Sequence, residues 1–154
     1  MNSRSRKLRQ ERLKDRFGKN PIENDEIVTG RNRLDKIKIY HDEKCEQLGK
    51  ANIDDVTWND LEMDQVFLRI NNTKSYIGEQ ILYHCLHNID IHRNWSEFEN
   101  QILYYTNNEQ GRIQIEDKLS FIGKKEDNYY LPTLLMHPEY WRIQSRLIRR
   151  NSLS

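Results

Sequence analysis

A chain of 154 residues has room for one ordinary domain or for a piece of a larger protein, and three Trp, eight Tyr and four Phe exclude a disordered tail. Apolar residues make up 36% and charged residues 32%, a balance that favours an all-α, elongated helical domain. No run approaches the roughly 18 apolar residues of a membrane span, and the N-terminus has no apolar signal region, so membrane insertion and secretion by this segment are not expected. Cys45 and Cys85 have no CxxC partner, which is typical of reduced thiols in a cytoplasmic protein.

The net charge of +1 is unevenly distributed along the chain. Residues 1–19 carry eight Lys and Arg against Glu11 and Asp15, a local charge of +6, so the remainder carries −5. Such an arm either contacts nucleic-acid phosphates or is simply a solvated helix. The candidate nucleic-acid-binding residues are Arg4, Arg6, Lys7, Arg9, Arg12, Lys14, Arg16 and Lys19.

The basic arm is also the first predicted helix, over residues 3–16, because it is rich in helix formers. Gly18 suits its C-cap, and Pro21 prevents continuation. A second helix is predicted from Asn24 or Asp25 to about Leu48 and ends at Gly49. Residues 1–50 are therefore predicted to form a basic arm with a connector helix.

Two helices meeting at a polar corner are predicted next. Residues 53–60 are a polar connector, and a helix with Met63, Phe67 and Ile70 on one face then ends at 71–73. Ser75 can cap the following helix, whose Gly78 allows another backbone to come close. The predicted buried stripe of that helix consists of Ile77, Ile81 or Leu82, and Cys85 or Leu86.

The C-terminal half predicts further helices. A capping box at 96–99 starts a helix with Phe98, Ile102 and Tyr105 on one face, and 107–108 form the next corner. A helix with Ile115, Leu119 and Ile122 follows and closes at Gly123. Residues 129–132 are predicted as a loop or a short extended piece, and 140–148 as a last amphipathic stretch.

No complete catalytic motif occurs in the chain. A P-loop needs GxxxxGK[ST], whereas the fragments at 18–20 and 123–125 lack the leading glycine and the hydroxyl. Neither GxSxG nor HExxH is present. We therefore assign no catalytic residue and no cofactor-binding residue, and predict that this chain is not itself an enzyme.

The histidines near residue 85 are the best metal candidates. His84, Cys85, His87 and His92 are close in sequence, and His84 and His87 share a helical face. Two nitrogen ligands are too few, so ordinary imidazoles at a polar helix end explain these residues better. No metal site is predicted.

The segment 57–86 carries a family resemblance. It is similar to the start of the core (lever) domain of MutS-type mismatch-repair ATPases, and more closely resembles the shorter bacterial MutS-related proteins that lack the mismatch-reading domain. The positions that match the family pattern are Leu61, Met63, Asp64, Asn72, Thr73, Gly78, Leu82 and Leu86. Looser similarity extends upstream through 16–21 and downstream through Arg112 and 119–124.

The resemblance implies that residues 51–154 are an incomplete helical lever, which couples DNA binding to an ATPase portion absent from this chain. ATP and Mg are expected only with that portion, and the implied partners are duplex DNA and either the ATPase portion or a homodimer partner. The chain departs from the family because the mismatch wedge and the Walker motifs are missing, and Tyr83, His84 and Cys85 stand where an arginine-rich run is usual. The alternatives are a stand-alone helical protein-interaction module and a basic-armed nucleic-acid-binding module.

Overall fold

The computed structural model describes residues 3–19, 31–49, 53–88 and 94–141. Within these ranges every regular element is helical, and no strand is present, so the predicted all-α class is confirmed. The helices are α1 (Ser3–Arg16), α2 (Arg31–Leu48), α3 (Asp55–Asp60), α4 (Met63–Ile70), α5 (Tyr76–His87), α6 (Trp95–Asn107), α7 (Glu109–Ile122) and α8 (Leu131–Met136), with 3-10 helices at Glu126–Tyr130 and Pro138–Trp141. None of these described helices is long and apolar enough to cross a bilayer.

The centre of the fold is the pairing of α2 with α5, which α3, α4 and the first 3-10 helix cover. The buried apolar side chains of the described residues there are Ile37, Trp58, Phe67, Tyr83 and Tyr129, none more than 3% exposed. Four of the five are aromatic, so this core consists of a small number of large rings, whereas an ordinary core contains many aliphatic side chains.

Helices α1, α6 and α7 pack together beside this core. Helix α1 packs against α7, and α6 and α7 form a helical hairpin with Asn108 at its turn. The Asn108 side chain accepts a hydrogen bond from Gly111 N at 2.8 Å, which caps α7 directly at the predicted corner. Arg112 Nη1 donates to the backbone oxygens of Tyr105 at 2.6 Å and Thr106 at 3.3 Å, and so bonds the last turn of α6 to α7.

Several local predictions need correction. Part of the predicted connector 53–60 is helix α3, because Asp54 caps it by accepting from Thr57 N at 2.8 Å. Helix α6 begins at Trp95 under an Asn94 cap instead of a cap at Ser96. The predicted loop 129–132 is the end of a 3-10 helix and the start of α8. The predicted start of α2 at 24–25 and the stretch 142–148 lie outside the described residues.

The largest difference concerns the buried face of α5. Its buried side chains are Glu79, Gln80, Tyr83 and His87, whereas Ile81 is 45% exposed and Cys85 is exposed. Of the alternatives in the predicted stripe, Leu82 and Leu86 pack partly buried against the core, whereas Ile81 and Cys85 do not. The prediction did not include Glu79 and Gln80, which are buried because groups of α2 bond to them.

Candidate functional site

The basic residues predicted to contact nucleic acid separate into two groups on α1. Arg9 Nε lies 2.5 Å from Asp117 Oδ1, and Arg6 Nε lies 3.8 Å from the other oxygen of that carboxylate. Lys14 Nζ lies 2.9 Å from Glu109 Oε1. These three cations therefore hold α1 on α7, although Arg6 and Lys14 remain largely exposed.

The other five predicted residues are exposed, and they are Arg4, Lys7, Arg12, Arg16 and Lys19. Arg12 and Arg16 stand one turn apart on α1 and so form a small basic patch. Glu11 and Asp15, also one turn apart, are exposed beside them and reduce the local positive charge. The outer face of α1 is thus mixed in charge rather than a continuous basic stripe.

The end of α1 is fixed by a contact that the sequence did not predict. The Arg112 guanidinium lies 3.4 Å from the centroid of the Phe17 ring, while Arg112 is only 8% exposed. The sequence offered one signal, an arginine four residues after Asn108, but it did not identify Phe17 as the partner. Arg112 therefore joins the end of the basic arm to the α6–α7 hairpin.

An open groove of about 710 Å³ runs between α1 and α7. Gln10, Gln110 and Gln114 supply amide groups to its wall, whereas its charged lining is mixed and consists of Arg6, Lys7, Lys14, Glu11 and Glu109. Because Arg6 and Lys14 already pair with carboxylates of α7, the groove offers hydrogen-bonding groups of both charges rather than a positively charged site.

The segment with the family resemblance forms a tightly bonded corner. Trp58 Nε1 donates to Asp64 Oδ1 at 2.8 Å across the α3–α4 turn. Asn71, and not the neighbouring Asn72, accepts bonds from both the backbone and the hydroxyl of Thr73. At Gly78 an added Cβ would stand 3.2 Å from Thr73 Cβ, so that close approach is to a side chain and not to a backbone. The corner is therefore defined by one side-chain bond between α3 and α4 and by local contacts in the connection from α4 to α5.

A buried carboxylate lies where α5 meets α2 and the residues that follow α7. The Glu79 side chain is fully buried and pairs with Arg33 and with Lys124 Nζ, the latter at 2.5 Å. Tyr129 Oη donates to it at 3.4 Å. Lys124 belongs to the fragment 123–125 that was compared with a P-loop above, and in the structure it pairs with a protein carboxylate. This centre is an internal ion cluster that joins three parts of the chain.

Three imidazoles pack together at the other end of the α2–α5 interface. His41 Nδ1 lies 3.1 Å from His84 Nδ1, and the His41 and His87 ring centroids are 4.1 Å apart. His87 donates to the backbone oxygen of Tyr83 at 3.0 Å, and its ring stacks on Trp58 with a centroid separation of 3.5 Å. Cys45 Sγ lies 3.5 Å from His41 Nε2.

Of the metal candidates considered from the sequence, His84 and His87 belong to this imidazole cluster, and Cys85 is exposed on α5. No group of three His, Cys, Asp or Glu side chains in the described ranges is arranged to hold a metal ion. His92 lies outside those ranges. His41, the member of the cluster that the sequence pattern did not associate with them, comes from α2, more than 40 residues earlier.

The cluster is held in its neutral form. Burial, together with the neighbouring His87 and His84, lowers the pKa of His41 to about 4. Burial also lowers the pKa of His84 and of His87. The folded protein therefore binds these protons less readily than the unfolded chain does.

We expect an acid-dependent loss of stability from this arrangement. Because the folded-state pKa of His41 lies below the ordinary value of 6.5, its contribution is complete above that pH and is lost as the pH falls from about 6.5 towards about 4. The loss from His41 should be about 2 kcal/mol in the free energy of unfolding. Urea unfolding at about pH 7 and about pH 4.5 measures it.

The variant His41→Gln should lack this part of the pH dependence. The control is His137→Gln, which changes a histidine directly after α8 that pairs with Glu139, and this variant should retain the pH dependence. Equal pH dependence in the wild type and His41→Gln would contradict the assignment.

Comparisons with known proteins identify no relative. No family model, no curated protein and no solved structure matches the chain. The functional reading therefore depends on the residues and contacts described above.

Proposed function

We propose that this chain is a helical core segment of a MutS-type protein, which couples DNA binding to an ATPase portion that the chain does not contain. The observation that carries the proposal is the bonded corner at 58–78. The segment with the resemblance is built from mutual contacts, such as Trp58 with Asp64 and Asn71 with Thr73, so it can transmit displacement as a rigid unit.

The ion cluster at Glu79 supports a coupling role. It connects α2, α5 and the residues after α7, so a displacement of the α1–α6–α7 group is communicated to the α2–α5 core. A buried, multiply bonded charge resists small rearrangements and favours movement of whole packed elements. The chain in this proposal acts mechanically and performs no chemistry of its own.

The DNA-contacting part of the proposal is assigned to the exposed cations of α1. Arg12 and Arg16 are exposed and lie one turn apart, and Lys7 is exposed beside the groove on the same helix. Contacts to phosphate oxygens by such side chains give sequence-independent, salt-sensitive affinity. Duplex DNA is therefore the nucleic-acid partner of this proposal.

The double variant Arg12→Gln/Arg16→Gln tests this contact. Removing two phosphate contacts should weaken duplex binding several-fold at low salt and make the plot of log affinity against log salt shallower by about 2. Fluorescence anisotropy of a labelled duplex across a salt series measures both quantities. The matched control is Lys118→Gln/Lys125→Gln, two exposed cations that do not belong to α1. Equal effects of the two double variants would remove α1 as the DNA contact.

The ATPase coupling has a separate test in the genome. A GxxxxGK[ST] segment downstream in the same or the adjacent reading frame would support a core segment whose motor is encoded beside it. The absence of such a segment from the neighbouring frames would count against the ATPase coupling. The DNA-binding part of the proposal would then depend on the anisotropy experiment alone.

A helical protein-interaction module is the second candidate, and α6 favours it. Helix α6 contributes no buried side chain, and Trp95, Ile102, Leu103 and Tyr104 are each about half exposed. An apolar helix that remains this accessible suits a groove on a partner. Two results would favour this candidate: an affinity for duplex DNA that no substitution on α1 changes, and binding of a protein partner that the substitution Leu103→Asp abolishes.

A further inference from the structure

The α6–α7 hairpin leaves the apolar face of α7 partly open. Arg112 bonds the start of α7 to the last turn of α6, and Ile115, Leu119 and Ile122 continue the Arg112 face at i+3, i+7 and i+10. This face therefore turns towards α6. Ile115, Leu119 and Ile122 are nevertheless 42%, 41% and 46% exposed, so α6 covers them only in part.

Helix α6 carries the matching stripe. Phe98, Ile102 and Tyr105 lie at i, i+4 and i+7, and Phe98 is the one half-buried side chain of this helix, so the stripe faces α7. Ile102 is still 49% exposed and Tyr105 is 36% exposed. We refer to the half-open apolar residues of the two helices as the open seam, which consists of Ile102, Tyr105, Ile115, Leu119 and Ile122.

Helix α6 needs a further layer on this seam because it cannot depend on helix propensity alone. An isolated helix of 13 residues is marginal in water, and most helical stability in proteins comes from the packing of an apolar face. In the described structure α6 contributes no buried side chain. Packing of another surface on the open seam would supply the missing stabilisation.

The charge pattern favours an uncharged, apolar surface as the partner. Residues 100–108 contain no charged side chain, in a chain of which 32% of the residues are charged. Charged residues are depleted in interface cores, and homodimer interfaces are more apolar than transient ones. On α7, Glu116 and Lys118 flank the seam with opposite charges, so two copies of this surface do not repel each other.

The area of the seam matches what a dimer needs. Five side chains of this size, each close to half exposed, offer roughly 400 Å² of apolar surface. A standard interface buries about 800 Å² of each partner, and a little more than half of that area is apolar. Two helices with one open apolar seam are half of a four-helix bundle, and a second copy related by a two-fold axis supplies the other half.

We propose that this chain forms a homodimer in which the open seams of two α6–α7 hairpins pack face to face as a four-helix bundle. The inference rests on the second candidate function, because it identifies the partner of α6 as a second copy of the chain. It does not involve the DNA contact assigned to α1, since Asp117 and Glu109, which hold α1 on α7, are not members of the seam.

The mass of the full chain in solution tests the proposal. Sedimentation velocity from about 1 to about 100 μM should show a reversible monomer–dimer equilibrium, with two chains as the largest species. A chain that stays monomeric throughout, or that assembles beyond two copies, would overturn the proposal. A monomeric chain that binds a different protein through Leu103 would overturn it and leave the second candidate function intact.

The double variant Ile102→Glu/Leu119→Glu tests the position of the interface. Each new carboxylate would be desolvated against the other copy, so the dissociation constant of the dimer should rise at least about a hundredfold. The matched control is Val56→Glu/Leu135→Glu, which adds the same charge at exposed apolar residues of α3 and α8 and should change that constant less than about twofold. Equal effects of the two double variants would overturn the proposal.

If Ile102→Glu/Leu119→Glu loses helix content by circular dichroism, hydrogen exchange of the wild-type protein tests the same interface. Raising the protein concentration from about 1 to about 100 μM should slow amide exchange in α6 about tenfold and leave exchange in α3 unchanged. Exchange in α6 that does not depend on concentration would overturn the proposal.

Discussion

Replacing Glu79 with leucine is expected to lower the free energy of unfolding by about 3 kcal/mol. The carboxylate is fully buried, and its removal leaves Arg33, whose side chain is only 16% exposed, without its counter-charge. Lys124 is 36% exposed and can regain water, which keeps the loss at the lower end for a broken buried pair. Urea denaturation followed by circular dichroism measures the change.

A double-mutant cycle identifies the cause of that loss. Arg33→Met together with Glu79→Leu should be less destabilised than Glu79→Leu alone, because the double variant buries no uncompensated charge. The control is Glu99→Leu on α6, an exposed glutamate whose replacement should change stability by less than about 0.5 kcal/mol. Additive effects of the two core substitutions would show that the ion cluster is not the source.

The second large effect is expected at Phe67, where alanine should cost about 3–5 kcal/mol of the free energy of unfolding. The ring is fully buried and meets Tyr83 edge-on, with centroids 5.4 Å apart. Because the core contains few large rings, its neighbours cannot close the resulting cavity. Thermal and urea unfolding of the purified variant measure the loss.

Phe121→Ala provides the matched control, since Phe121 is 76% exposed on α7. The same chemical change there should alter stability by less than about 0.5 kcal/mol. Similar losses at the two phenylalanines would mean that the region around Phe67 relaxes freely and does not form the centre of the fold.

Local sequence patterns predicted the helices well where a cap or a turn is encoded by neighbouring residues. Gly18 and Gly123 follow the ends of α1 and α7 with φ values of 73° and 71°, and Ser75 caps α5 by accepting from Gly78 N at 3.1 Å. Phe67 was correctly placed on the inner face of α4. In each case the physical cause lies within a few residues of the feature.

The interior of α5 could not be predicted in the same way. Periodicity selects apolar residues, so it left Ile81 and Leu82 as alternatives for the buried stripe and did not identify Glu79, which is fully buried. Glu79 is buried because Arg33 and Lys124 neutralise it, and both lie about 45 residues away along the chain. His41, which makes the imidazole cluster possible, is similarly distant from His84. Such partners are identified by the fold and not by local spacing.

The ion pairs that hold α1 on α7 have a consequence for any polyanion that approaches the arm. Arg6 and Arg9 already share the Asp117 carboxylate, so a phosphate that recruited either arginine would compete with an intramolecular anion. Engagement through these two side chains would therefore be an exchange of counter-ions, with a smaller net gain than contact through Arg12 or Arg16. Such binding would also break the ion pairs that hold α1 on α7, so polyanion binding by Arg6 and Arg9 and the packing of α1 against α7 would oppose each other.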